Sequence, residues 1–231
     1  METKKIVVLT GAGMSAESGL KTFRDANGLW EGHDVMQVAT PEGFAKNPEL
    51  VFEFYNQRRR QLLKVLPNEG HKALVTLEQH FNVTIITQNV DNLHEKAGSK
   101  NVLHLHGELL KVRSVADDTR IYEWADDLKL GDLDANGNQL RPHIVWFGEM
   151  VPMLEPAIEI TAKADILIII GTSMQVYPAA SLVNYTKADC PIYFIDPKPS
   201  ITASDFANLT VLAKNASTGV PILVSQLINQ A

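Results

Sequence analysis

Four short polar clusters, each directly after an apolar run, hold the groups in this chain that could do chemistry. The first is His104-Leu105-His106-Gly107. On a strand the two histidines would share a face, so a metal pair is one reading, although no third ligand stands nearby. The other is a lone His106 acting as general base, its imidazole neutral near pH 7. The second cluster, Gln88-Asn89-Val90-Asp91, sets three polar side chains within four positions. It suits a ligand pocket, and equally an Asx turn that caps the next helix. The third, Gly171-Thr172-Ser173, is a small hydroxyl-bearing turn able to bond phosphate or ribose, and equally an ordinary strand-to-helix turn. The fourth, Gly11-x-Gly13-x-x-Ala16, satisfies the dinucleotide pattern, in which glycines let backbone approach a pyrophosphate. No strand ending in Asp or Glu follows about 20 residues on, where a dehydrogenase would hold ribose.

The elements that must position these clusters are legible as runs. Ile6–Leu9, Val83–Thr87, Val102–Leu105, Ile144–Phe147, Ile166–Ile170 and Ile192–Ile195 are mostly continuous and β-branched, as in strands covered on both faces. Helical patterns over His71–Phe81, Pro156–Ala164, Ala179–Ala188 and Val220–Ile228 alternate with them. The alternation predicts an α/β fold with a doubly wound parallel sheet, whose ligands sit beyond the carboxyl ends of the strands. Two stretches break the rhythm. Residues 31–70 hold a helix announced by Asn47-Pro48-Glu49, and residues 112–142 are polar, with an Asn136-Gly137 turn signal. These inserts are expected to pack together as a small domain, leaving 1–30, 71–111 and 143–231 as the large one.

Composition bounds the function. A net charge of −6, with no basic block beyond Arg58-Arg59-Arg60, argues against nucleic acid as main partner. Cys190 is the only cysteine, which excludes an internal disulfide and a cysteine-based zinc cluster. No apolar run reaches the length of a membrane span or a secretory leader, so a cytoplasmic protein is expected, with no membrane partner.

Taken together, the chain resembles the sirtuins, the NAD-dependent protein-lysine deacylases. The matching stretches are Gly11-Ala-Gly-Met-Ser15-Ala-Glu-Ser-Gly19…Phe23-Arg24, Thr87-Gln-Asn-Val-Asp91, His106-Gly107, Trp146-Phe147-Gly148-Glu149 and Gly171-Thr-Ser173, in the family's order. The resemblance implies a Rossmann-like large domain, a small domain built from two insertions, and NAD consumed as co-substrate. It implies that Gly11 to Trp30 form a phosphate turn and a mobile cofactor-binding loop, with Ala12, Ser15, Ala16, Phe23, Arg24 and Trp30 toward NAD. Gln88, Asn89 and Asp91 would hold the nicotinamide ribose and carboxamide. His106 would be the base, with Asn89 and Asp91 beside it in catalysis. Gly171, Thr172 and Ser173 would bind on the ribose-phosphate side. Asp196, where the family more often has Asn, would meet the adenine ribose, and Ala216 the adenine. Val145, Trp146, Phe147, Gly148 and Glu149 would pair with an extended acyl-lysine peptide. The implied reaction moves the acyl group from lysine to ADP-ribose, releasing nicotinamide and O-acyl-ADP-ribose, in a monomeric enzyme acting on acyl-lysine proteins. Alternatives are mono-ADP-ribosyl transfer to a protein and, in a different class, a non-catalytic NAD or ADP-ribose sensor.

Two sites refine the resemblance. Tyr55-x-x-Arg58 places a hydroxyl and a guanidinium on one helix face. In sirtuins that carry it, this pair goes with acidic acyl groups such as succinyl and malonyl, so desuccinylase and demalonylase activity is implied beside deacetylation. Successive helix residues point about 100° apart, so the three arginines cannot all serve one pocket. The family's zinc-binding cysteines are missing between Val112 and His143. No zinc is therefore expected, and Tyr122, Trp124, Leu128, Leu130 and Leu133 are expected to form an apolar cluster instead. Asp132-x-Asp134-x-Asn136-Gly137 copies the opening of a calcium loop, but His143 stands at the twelfth position, and a tight turn is the expectation.

Overall fold

The computed structural model describes residues 3–20, 29–30, 32–202 and 204–230, with backbone alone at 29 and 30. Eleven strands and seven α-helices occur among the described residues. In chain order the strands are β1 (Lys5–Thr10), β2 (Leu29–Trp30), β3 (His33–Asp34), β4 (Asn82–Thr87), β5 (Val102–His104), β6 (Gly107–Ser114), β7 (Ile121–Glu123), β8 (Leu140–Ile144), β9 (Ile166–Ile170), β10 (Ile192–Ile195) and β11 (Leu209–Leu212). The helices are α1 (Val35–Val38), α2 (Pro41–Lys46), α3 (Pro48–Leu62), α4 (Glu69–Leu77), α5 (Leu93–Ala97), α6 (Leu154–Ala162) and α7 (Ala216–Asn229).

The six-stranded sheet has the order β11-β10-β9-β1-β4-β5, and every pairing in it is parallel. Strand β1 is the point of reversal, because the chain passes to β4 on one side and to β9 on the other. Its alternating side chains explain why the run is continuously apolar. Ile6 and Val8 face one core with Leu74 and Leu77 of α4 and Val220 and Leu223 of α7. Val7 and Leu9 face the other, with Ala157 of α6 and with Leu182 and Val183 from the 3-10 helix Ala179–Tyr185. Both faces are covered, and the fold is α/β with a parallel sheet, as expected.

Three details depart from the expectation. Ile144–Phe147 is not a strand of this sheet; Ile144 ends β8, which pairs antiparallel with β6. Strand β11 was not foreseen, since its run Leu209-Thr-Val-Leu is interrupted by a threonine. The segment Ala179–Tyr185 winds as 3-10 rather than α-helix.

Helix α3 begins as its cap predicts: Asn47 Oδ1 accepts the Leu50 N–H at 3.1 Å, and Pro48 occupies the first turn. Beside it lies a three-stranded antiparallel sheet, β7-β6-β8. Only part of the apolar cluster expected there forms. Leu128 is buried with Phe52, Val112 and Leu140, and Trp124 and Phe44 pack against them, but Tyr122, Leu130 and Leu133 are exposed. Hydrogen bonds from α3 fasten this sheet. The Asn56 side chain donates Nδ2–H to Leu128 O and accepts Leu128 N–H at Oδ1, both at 2.9 Å. Buried Arg59 donates to Asn56 Oδ1, Leu109 O and Asp126 O. Asp134 makes a tight turn, its Oδ1 accepting the N–H groups of Asn136 and Asn138, with Gly137 at φ +83°.

Candidate active site

A cavity of about 300 Å³ opens beyond the carboxyl ends of β1, β4 and β9, at the point of reversal, where such sheets take ligands. It brings together Gly11, Ala12, Ser15, Gln88, Asn89, Asp91, His106, Gly171, Thr172 and Ser173 with Tyr55, Arg58 and all of Val145 to Glu149. Gly13, Ala16, Asp196 and Ala216 do not line it. Ala16 is exposed; Asp196 is buried after β10, where its carboxylate accepts the Lys198 N–H; Ala216 starts α7 in the core. Phe23 and Arg24 lie outside the described residues, and Trp30 sits in β2.

The wall at the sheet is a closed set of hydrogen bonds. Asn89 donates Nδ2–H to Gly11 O (3.0 Å) and to Ser15 Oγ (3.2 Å), and Ser15 donates its hydroxyl to Asp91 (2.9 Å). The other Asp91 oxygen accepts the Leu93 N–H, so the Asx turn is real and serves the pocket as well. Burial pushes the Asp91 carboxyl up, against these donors. Gln88 reaches Thr172 Oγ1, tying the β4 turn to the β9 turn.

The glycines have a packing reason beside any approach to phosphate. A Cβ on Gly11 would stand 2.8 Å from Gly171 O, and one on Gly13 2.6 Å from Gly171 Cα. Gly171 itself has φ +62°, and a Cβ there would stand 2.4 Å from Met14 N. The β1 and β9 turns therefore interlock backbone to backbone, with Gly13 N–H donating to Gly171 O at 2.8 Å.

His106 donates Nδ1–H to Gln88 O at 3.1 Å, which leaves the Nε2 lone pair unprotonated. Burial lowers the ring below its usual value, although the bond to Gln88 pulls the other way, so the imidazole is neutral at pH 7. His104 faces Asn89 O and Glu95 instead of sharing a ligand with His106. No group of three or more metal-ligating side chains occurs among the described residues.

Opposite lies a mostly apolar wall. Trp146 is buried, donates its indole N–H to Tyr55 Oη at 2.9 Å, and carries the Arg141 guanidinium over its ring at 3.4 Å. Glu149 accepts from Arg113, Arg141 and the Trp146 N–H. Burial holds the Tyr55 phenol protonated, well above its ordinary range. The amides of Val145, Phe147 and Glu149 are also donated inward, to His106 O, Ala39 O and Trp146 O. Those three N–H groups are therefore not open to a peptide strand. The three arginines diverge: Arg58 lines the cavity and stacks on Phe54, Arg59 is buried toward Leu109, and Arg60 pairs with Glu53 and Asp127 outside.

Sequence reasoning missed Ala39, Gln61, Leu109 and the Val176-Tyr177-Pro178 stretch, which also line the cavity. Gln61 was within reach, because it stands three residues past Arg58 on the same helix. The Val176–Pro178 stretch belongs to the loop that continues from the β9 turn. Ala39 and Leu109 carry no signal, being ordinary apolar residues.

A Sir2 family model matches residues 11–178. A relative from Helicobacter pylori (strain ATCC 700392 / 26695), an NAD-dependent protein deacylase, is 58% identical over 228 residues, covering 99% of each chain. One of the same name from Bacteroides thetaiotaomicron is 55% identical, covering 97% of this chain and 98% of its own. A solved Sir2 homolog–NAD complex superposes with a TM-score of 0.88 at 39% identity, over 99% of this chain and 91% of that one. With its parallel sheet, interlocked β1 and β9 turns and matching motifs, the chain belongs to the Sir2 family, the sirtuins.

Proposed function

We propose that the protein is an NAD-dependent protein-lysine deacylase. The observation that carries the reading is the polarity of one cavity. On one side stand Ser15, Asn89, Asp91, Thr172 and the neutral His106; on the other stands the apolar wall around Trp146. The first set fits the ribose end of NAD, since hydroxyls, amides and a buried carboxyl can each bond sugar hydroxyls or a carboxamide. When bound, NAD supplies the ribose carbon that accepts the acyl oxygen as nicotinamide departs. Asn89 and Asp91 would orient that ribose, and Ser15 would hold both of them. His106 would take a ribose hydroxyl proton at Nε2 while Gln88 O steadies its other nitrogen. The acylated lysine would lie along the apolar wall, away from water.

The finer reading concerns the acyl group and the insertions. Arg58 and the protonated Tyr55 line the same cavity as His106, so a carboxylate at the end of a succinyl or malonyl chain would meet a guanidinium and a hydroxyl. Residues 31–70 and 112–142 would form the small domain that carries this end of the pocket. Its cysteine-free portion is held by Asn56 and Arg59, which supports a zinc-free module. The test is incubation with NAD and acetyl- or succinyl-lysine peptides, followed by mass spectrometry. Free lysine with acyl-ADP-ribose is expected; ADP-ribosylated protein or unchanged NAD would refute the reading. Arg58→Met should reduce succinyl turnover far more than acetyl turnover, and equal proportional losses would remove the acidic-acyl assignment.

A further inference from the structure

His104 stands two residues before the proposed base and has no part in the reaction as set out above. Its side chain is 8% exposed. Nδ1 lies 3.1 Å from the Asn89 carbonyl oxygen, and Nε2 lies 2.8 Å from Glu95 Oε1. A carbonyl can only accept. An ionised carboxylate can only accept as well, so both ring nitrogens must carry hydrogen. We infer that His104 is a positioning residue, an imidazolium held by Glu95 that grips the Asn89 carbonyl and so sets the angle at which Asn89 faces the cavity.

The surroundings agree with a charged ring. Burial lowers His71, His94, His106 and His143. His104 is pushed down by burial too, yet the bond and charge of Glu95, helped by Glu108, hold it above its ordinary value. Against the upward push of burial, the His104 contact keeps Glu95 in its ionised form. The other titratable groups facing this couple are Asp91 beyond β4, His94 on α5, and His71 on α4 and Lys111 on β6, which face Glu95. Asn89 is consequently fixed at every other polar group. Its N–H goes to Thr87 Oγ1, its side-chain amide to Gly11 O and Ser15, and its carbonyl to His104, which leaves Oδ1 as the pole for a ligand. Loss of one ring proton at alkaline pH would leave either Glu95 or the Asn89 carbonyl facing a lone pair. What Asn89 then fails to do rests on the deacylase reading.

The test uses the full-length protein with its histidine ring nitrogens labelled with nitrogen-15. Nuclear magnetic resonance would follow those nitrogens from pH 5 to 10, alongside kcat/KM for NAD with an acetyl-lysine peptide. In the wild type, the signals lost in His104→Gln should show two protonated nitrogens at pH 7.5. Glu95→Gln, whose amide can donate to a bare Nε2, should lower that titration by about one unit or more. It should carry the alkaline limb of kcat/KM down with it, because a neutral ring grips the Asn89 carbonyl less strongly than a charged one. His104→Gln should cost roughly 10–100-fold in kcat/KM, the weight of one hydrogen bond from a charged donor. A neutral His104 ring at pH 7.5 overturns the inference. So does an alkaline limb that stays in place while the Glu95→Gln ring titration moves. If the wild type turns over no acyl-lysine peptide, the deacylase reading falls, and the ring nitrogens still decide the state of His104.

Discussion

Asn56→Ala tests what fastens the β7-β6-β8 sheet to α3. The Asn56 amide pairs with both backbone groups of Leu128, whose side chain is fully buried, and it also accepts from Arg59. Truncation leaves one buried N–H and one buried C=O without partners, at about 1–3 kcal/mol each. Arg60 pairs with exposed Asp127 next to Leu128, so water can reach part of this segment, and the low end of the sum applies. That gives about 2–3 kcal/mol, a large share of a total stability of about 5–15 kcal/mol. At about 2–4 °C per kcal/mol for a chain of this size, Tm should fall by roughly 4–12 °C. Differential scanning calorimetry measures the shift, and amide exchange should show the Leu128 N–H losing protection. A Tm within about 2 °C of the wild type, with Leu128 still protected, would refute the staple.

The remaining predictions concern pH and packing. The proposed base must be neutral to work, and His106 lies below its ordinary value of about 6.5. The acid limb of kcat/KM should therefore be centred below pH 6.5; a limb centred at or above 6.5 would count against His106. Glu149→Gln strands two guanidinium groups and should destabilise by about 2–3 kcal/mol at pH 7, less than a fully buried pair because Glu149 is partly exposed. Burial pushes the Glu149 carboxyl up, but Arg141, the Trp146 amide and Arg113 hold it down overall. A depressed folded-state value means stability present above about pH 4.3 and lost as pH falls through the lower value. The gap between variant and wild type in urea melts should thus close in acid. Gly13→Ala drives a methyl into the Gly171 backbone and should cost about 3 kcal/mol along with NAD binding. Binding and melting curves like those of the wild type would show that the two turns can separate.

The main sheet was legible because its strands are buried on both faces, so Ile6–Leu9 and Ile166–Ile170 read as unbroken apolar runs. The cap of α3 was legible too, since Asn47-Pro48 states its own geometry. The β8 assignment failed for a physical reason: Ile144-Val-Trp-Phe is as apolar as a core strand, but beyond Ile144 it serves the cavity wall, and periodicity does not tell sheet from pocket. The apolar cluster of the cysteine-free segment was only half legible. Nothing local says that Leu128 turns inward while Leu130 and Leu133 turn out, because that choice is made by Asn56, 72 residues earlier. The charged state of His104 was beyond reach for the same reason, as it depends on Glu95 and Asn89 meeting one ring.

The interlocked turns also fix the order in which this site can come into being during synthesis. Strand β1 leaves the ribosome first, yet its partner β9 begins at Ile166, and Lys5 N–H bonds Asp165 across 160 residues. At about 5–20 residues per second, that wait is roughly 8–32 s. Until it ends, one edge of β1 has no partner, and Gly11 and Gly13 have no turn to lock into. Competence to bind a dinucleotide would therefore follow the docking of β9 on β1 rather than mark an early step. A nascent chain that bound NAD before Ser173 had emerged would contradict that order.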